Sequence, residues 1–227
     1  MSLRTELDDC LREQGLFVRG VTRLSEVEIE TFGLDATQAD IALVGNIGSS
    51  YWPHFSQSVE FSDGAAHPLD RWSRRIATSI AQALSLRPLY PFEGPPYFPF
   101  QQWAQRAEAL EQSPIGVMMH PEFGLWHSYR FALLGSDLRR ETTHAAVVSP
   151  CLACELKPCL HTCPVNAFDL DGYAVDTCAD YLRQTPQTGC HRRGCLARHA
   201  CPVVPEFRYV DAQGGFHLRA FLRAYQA

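Results

Sequence analysis

Eight of the nine cysteines of this chain lie between Cys151 and Cys201. No other feature limits so strongly what the chain can fold into. From Cys151 the sequence reads CLACELKPCLHTCP, then DTCADYL around Cys178, then GCHRRGCLARHACP. The eight are Cys151, Cys154, Cys159, Cys163, Cys178, Cys190, Cys195 and Cys201, and proline follows Cys163 and Cys201 directly. Thiols at this density are disulfides, metal ligands or both, so the segment is expected to be one unit built around them.

Composition helps to choose between these. The first residues, MSLRTELDDCLREQG, are charged and contain no apolar run, so no secretory signal is expected there. No stretch is apolar enough for a membrane span. A cytoplasmic, reducing setting follows as an expectation, and there clustered cysteines favour metal. The formal net charge of −5 gives no general attraction to nucleic acid or to an anionic membrane, so neither is expected as a partner.

Four-iron clusters take one thiolate per iron. In proteins carrying two such clusters, the cysteine before proline in each run ligates the other cluster. That rule predicts one 4Fe–4S cluster on Cys151, Cys154, Cys159 and Cys201. The second would sit on Cys178, Cys190, Cys195 and Cys163. The spacing is loose: C-x2-C-x4-C-x3-C-P in the first run and C-x11-C-x4-C-x5-C-P in the second. Two zinc sites would also use eight thiolates, but zinc ribbons favour paired C-x2-C knuckles, and only Cys151 and Cys154 form one. His161, His191 and His199 lie among the cysteines and are expected to hydrogen-bond or face solvent. Arg192, Arg193 and Arg198 put positive charge near the second set.

Upstream, residues 3–15 read as a short amphipathic helix carrying the isolated Cys10, a small side chain expected to be buried. Residues 16–24 read as a strand, and 41–48 as a buried strand running into a loop. Leu69, Trp72, Ile76, Ile80, Ala83 and Leu84 recur at helical spacing over 67–86, and Pro68 suits the first turn. Residues 87–103 hold too many prolines for regular structure before Phe100. They either line the pocket of a flat ligand or cover a core. A helix is expected near 100–112. Ile115–Met119 and Leu125–Leu134, joined by HPEFG, read as an antiparallel hairpin, and 216–227 as a helix that packs back.

The order of the cysteines, with a lone one between two runs, resembles the ferredoxin-like part of epoxyqueuosine reductases and reductive dehalogenases. Those enzymes pair two 4Fe–4S clusters with a cobalamin on a nitroreductase-like domain. The stretch GVMMHPEFGLWHSYRFALL (116–134) resembles CblC-type cobalamin-processing proteins, which have a similar Gly-Val-x-x-His-Pro-x-Phe-Gly-x-Trp and then an arginine four residues on. AHPLDRWSRRIATSIAQAL (66–84) is a weaker match. The resemblance implies an α+β chain: a nitroreductase-like, cobalamin-binding domain over 1–148, a ferredoxin-like module over 149–207, and a C-terminal helix over 208–227. It places Gly116, His120, Phe123, Gly124, Trp126 and Arg130 at the corrin pocket. The implied activity is that of an oxidoreductase that reduces cobalamin or removes its upper ligand, fed by a redox donor protein or flavoprotein. Reduction of an organic substrate, and plain electron transfer without a corrinoid, stay open beside it. No residue is assigned as catalytic.

Overall fold

The computed structural model describes residues 2–138, 149–169 and 172–225. It is a mixed α+β structure with a small antiparallel sheet. In chain order its first elements are α1 (Leu3–Arg12), β1 (Phe17–Arg23), α2 (Glu26–Thr31), β2 (Asp40–Ile47), α3 (Trp52–Ser56), α4 (Val59–Ser62), α5 (Pro68–Leu84), β3 (Arg87–Leu89) and α6 (Phe100–Ala107). Then come β4 (Glu111–Gln112), β5 (Met118–Met119), β6 (His127–Gly135), α7 (Pro150–Ala153) and α8 (Pro158–His161). The last are α9 (Val175–Gln184), α10 (Gly189–Arg193), α11 (Leu196–His199) and α12 (Asp211–Ala224). No helix of the described residues is long and apolar enough to cross a membrane.

The chain divides into two compact units, Met1–Ala109 with His127–Ala145 and Leu110–Trp126 with Ala146–Ala227. The expected boundary at 148/149 falls at the end of 139–148, outside the described residues. The finding that changes the picture is upstream: 110–126 belongs with the cysteines. The reason is burial. Ile115, Met119 and Leu125 share one apolar cluster with Phe168, Ala197 and Cys201. The expected hairpin of 115–134 is therefore not formed. Its first strand shrinks to Met118–Met119, which pairs with Glu111–Gln112 instead, and a single bridge links His120 to Gly124.

The first unit is organised on a four-stranded sheet in the order β1-β2-β6-β3, with every pairing antiparallel. Ile41, Ala42, Leu43 and Val44 of the inner strand β2 are wholly buried, as an uninterrupted apolar run predicts. Pro88 sits on edge strand β3, where its missing N–H costs no ladder bond. Helix α5 presents Leu69, Trp72, Ile76, Ala77, Ile80 and Ala81 to the core. It packs against β3 and β6, and α1 and α6 pack against β1. The proline-rich stretch covers this core: Phe98 packs on Phe32 and Trp103 at 4.8 and 5.7 Å, and Tyr90 is buried.

Two bulges interrupt the sheet, where the register skips Arg19 in β1 and Arg130 in β6. The strict alternation expected for 125–134 breaks at Arg130 for this reason. Arg19 is turned inward, pairs with Glu108 at 3.0 Å and donates to the Asn46 carbonyl at 2.9 Å. Tyr129 also donates to Glu108. These bonds explain why α6 ends at Ala107 rather than near 112: Glu108 adopts an extended backbone and its carboxylate reaches the arginine.

Candidate metal centres in the cysteine unit

The second unit is a chain of short helices. Proline opens α7 and α8, at Pro150 and Pro158, and a cysteine follows each directly. Cys178 lies in α9 and Cys190 in α10, while Cys195 caps the start of α11. Pro164 and Pro202 follow Cys163 and Cys201 and prevent a helix from continuing through them.

These elements gather the eight cysteines into two sets. One cavity is lined by Cys151, Cys154, Cys159 and Cys201, with Met119, Leu125 and Val203 supplying apolar wall. A second is lined by Cys163, Cys178, Cys190 and Cys195, with Ile115, Phe168 and Leu182. Each set therefore takes its fourth cysteine from the other run. The second cavity holds about 180 Å³ and the first about 20 Å³. Seating a bulky group in the first requires its side chains to draw back. None of the nine cysteines is in a disulfide. Among the described residues no three His, Cys, Asp or Glu side chains form a group able to hold a metal ion. The thiols stand around a space rather than at a point.

Burial sets their acidity. It pushes the thiols of Cys151, Cys159, Cys178, Cys190 and Cys201 up, and neighbouring cysteines of the same set add to the effect. Cys195 is pushed up to about 11 by burial, against the backbone N–H groups of Arg198 and Ala197. Those six thiols are thus held neutral, and a cation that binds them must displace their protons. Hydrogen bonds already point at several sulfurs. The Ala167 N–H donates to Cys163 Sγ at 3.3 Å, and Tyr173, stacked on Phe168 at 4.6 Å, hydrogen-bonds Cys178.

The histidines among the cysteines have other partners. The His191 ring meets the Leu182 carbonyl at 2.8 Å, and the His199 ring meets the Arg193 carbonyl at 2.7 Å, while His161 is exposed. The guanidinium of Arg198, in α11, lies over Trp126 and Tyr209, 5.1 and 4.6 Å from the ring centres. Isolated Cys10, in the first unit, is half-buried.

The six residues assigned to a corrin pocket are divided. Arg130 stands at the bulge of β6 in the first unit, and its Nε donates to the Tyr129 carbonyl at 3.0 Å. The other five are in the cysteine unit, engaged locally. Gly116 makes the turn between β4 and β5, its N–H bonded to the Ser113 carbonyl at 2.9 Å. His120 Nδ1 accepts the N–H groups of Glu122 and Phe123 at 3.0 and 3.3 Å, and its ring stacks on Phe123 at 4.5 Å. Phe123 meets Phe207 edge-on, and Gly124 approaches Val203 and Val204. None of the six lines either cysteine cavity.

Sequence reasoning missed Tyr173 as a sulfur's partner and Ser149 as another, beside Cys151. Their closeness to cysteines in sequence was the available signal. No protein-family model matches the chain, and no curated protein matches it.

Proposed function

We propose that the chain is an electron-transfer protein whose second unit holds two 4Fe–4S clusters in the crossed arrangement of ferredoxins. The observation that carries this reading is the lining of the two cavities. Each has four cysteines, which is the number of thiolates a four-iron cluster takes, and each mixes the two sequence runs. Donor chemistry fits as well, since soft thiolates in an apolar, partly buried wall suit iron–sulfur coordination. When bound, such clusters supply one-electron chemistry. The residues of this chain contribute the thiolates, the N–H and O–H groups aimed at sulfur, and the apolar wall that limits water. A redox donor protein or flavoprotein in a cytoplasmic setting would be the supplier of electrons.

Anaerobic purification tests the reading. About eight iron atoms per chain and a visible absorbance that bleaches with dithionite are expected. Stoichiometric zinc without iron would sink it. Cys201→Ala is expected to remove the cluster of Cys151, Cys154 and Cys159 and to leave about four iron atoms. Loss of the Cys178, Cys190 and Cys195 cluster instead would refute the crossing.

Cobalamin as the electron acceptor is the second reading, and the stretch 116–134 is what favours it. None of its six residues lines either cysteine cavity, and Arg130 belongs to the other unit from the remaining five. The nitroreductase-like label for the first unit rests on the same resemblance. Titration with cobalamin decides: a base-on to base-off spectral change supports a corrinoid partner, and no change leaves electron transfer alone.

A further inference from the structure

Charge is unevenly spread along this chain. The formal net charge is −5, yet residues 188–225 carry six arginines against two carboxylates, Glu206 and Asp211. In the cysteine unit, three of these arginines come together where α12 packs on the end of α10. The Arg219 guanidinium donates to the His191 carbonyl at 3.2 Å, and Arg223 stands one turn further along the same face of α12. Glycine sets the close approach of the two helices. A Cβ on Gly215 would come within 2.5 Å of the His191 carbonyl oxygen and 2.8 Å of that of Arg192.

Arg192, Arg219 and Arg223 are all exposed. Arg192 and Arg223 have no ion-pair or hydrogen-bond partner among the described residues, and Arg219 bonds a backbone carbonyl, not a carboxylate. Carboxylates at this end of the unit are engaged elsewhere: Asp211 with Arg193 at 3.3 Å, Asp180 with Arg183 at 2.7 Å, and Asp176 with the Tyr225 hydroxyl. The stripe of three therefore keeps its positive charge.

It also lies outside the second cysteine cavity. Buried Cys190, which lines that cavity, is on α10 two residues before Arg192. Leu218, next to Arg219 on α12, lines it too. The helices that bear the arginines are thus walls of the cavity, each about 10 Å thick. Electron tunnelling falls off steeply with distance, so the surface just outside such a wall is where a carrier can exchange electrons with a group inside.

We propose that Arg192, Arg219 and Arg223 dock an acidic electron-carrier protein, which exchanges single electrons with the second cysteine site; this rests on the two-cluster reading above. One partner is oxidised by one electron as the other is reduced by one, and no covalent bond is made or broken. A basic stripe on an otherwise acidic molecule turns it so that an acidic partner meets this face first and is repelled by the remainder. The surplus of carboxylates in the rest of the chain opposes a long polyanion that spreads beyond the stripe, which favours a compact acidic protein over a nucleic acid.

The test is calorimetric titration of the full-length protein, purified anaerobically and assayed for iron, with oxidised plant-type [2Fe–2S] ferredoxin as the acidic carrier. Saturable one-to-one binding is expected, weakening about tenfold as ionic strength rises from about 0.01 to 0.15 M. Arg192→Glu and Arg223→Glu break no hydrogen bond, and together should weaken binding about tenfold. Electron exchange with ferredoxin, followed by stopped flow in the downhill direction, should slow in the same variant. Its iron content and its bleaching by dithionite should match the parent's. Arg87→Glu, exposed on β3 in the sheet unit, should bind as the parent does. Parent-level iron with no salt-sensitive binding, or with equal weakening in Arg87→Glu, would overturn the docking surface and leave the clusters standing. Stoichiometric zinc without iron would overturn the cluster reading and the proposal with it. A single-stranded oligonucleotide that displaces ferredoxin and depends more strongly on the same two arginines would assign the stripe to nucleic acid instead.

Discussion

Among the described residues, eleven of the twelve largest fully buried side chains belong to the sheet unit, and Trp126 is the one from the cysteine unit. The sheet unit surrounds Trp72, Trp103, Phe55 and Phe131 with strands and long helices, as an ordinary apolar core does. The cysteine unit has helices of four or five residues at most of its cysteines, and exposes Leu152 and Leu156 at 78% and 83%. Its buried cluster includes a cysteine, and four more pack against it. The difference teaches that one unit is closed by apolar side chains, while the other sets its cysteines around two cavities.

Removing metal should break the comparison open most widely. Chelation after reductive stripping is expected to abolish amide-exchange protection over 149–225 and to leave it over 2–109, because a site that forms only in the folded chain supplies folding free energy. Protection lost or kept equally in both units would show the contrast to be false. Next in size is Trp72→Ala, with an expected loss of about 3–5 kcal/mol in chemical denaturation of the sheet unit. The cluster spectrum serves as the readout that should not follow it.

A smaller effect is expected from acid. Burial opposes ionisation of Glu28, but the Ser25 N–H, Arg106, Trp103 and the Ser25 hydroxyl together hold its carboxyl down at about 2, below its ordinary 4.5. A carboxyl lowered by folding stabilises the fold above its unfolded value and loses that contribution as pH falls through its folded one. The sheet unit should therefore lose about 1–2 kcal/mol between pH 4.5 and 2, with solvent screening of the half-exposed Arg106 reducing the full linkage value. Glu28→Gln should flatten that part of the profile. Leu156→Ser should be the smallest change, within about 0.5 kcal/mol, since its side chain is out in solvent. A larger loss would mean that Leu156 is covered in solution.

The sequence was most readable where one local rule acted alone. Helical spacing marks α5, and the apolar run at 41–48 marks β2, because each pattern is complete within one element. The grouping of Cys163 with Cys178, Cys190 and Cys195 was legible from the two Cys-Pro pairs. Legibility failed where a distant partner decided the outcome. Helical propensity runs past Ala107, but Arg19, 89 positions away, takes Glu108 out of the helix. The alternation of 125–134 gave no sign that Arg130 would bulge, since the bulge is set against β2. Nor did 115–119 reveal that its partner was 111–112 and not the strand following HPEFG.

The exchange of Cys163 and Cys201 between the two sets has a consequence for assembly. Bringing Cys201 to Cys151, Cys154 and Cys159 closes a loop that contains all four cysteines of the other set. Chain entropy spent on the first closure then shortens the search for the second, because loop cost grows with the free length between the ends. The two sites are interlocked like nested clasps. Under the proposed two-cluster reading, filling one set shortens the search for the other in the parent chain, so half-filled parent molecules should be scarcer than independent sites would give.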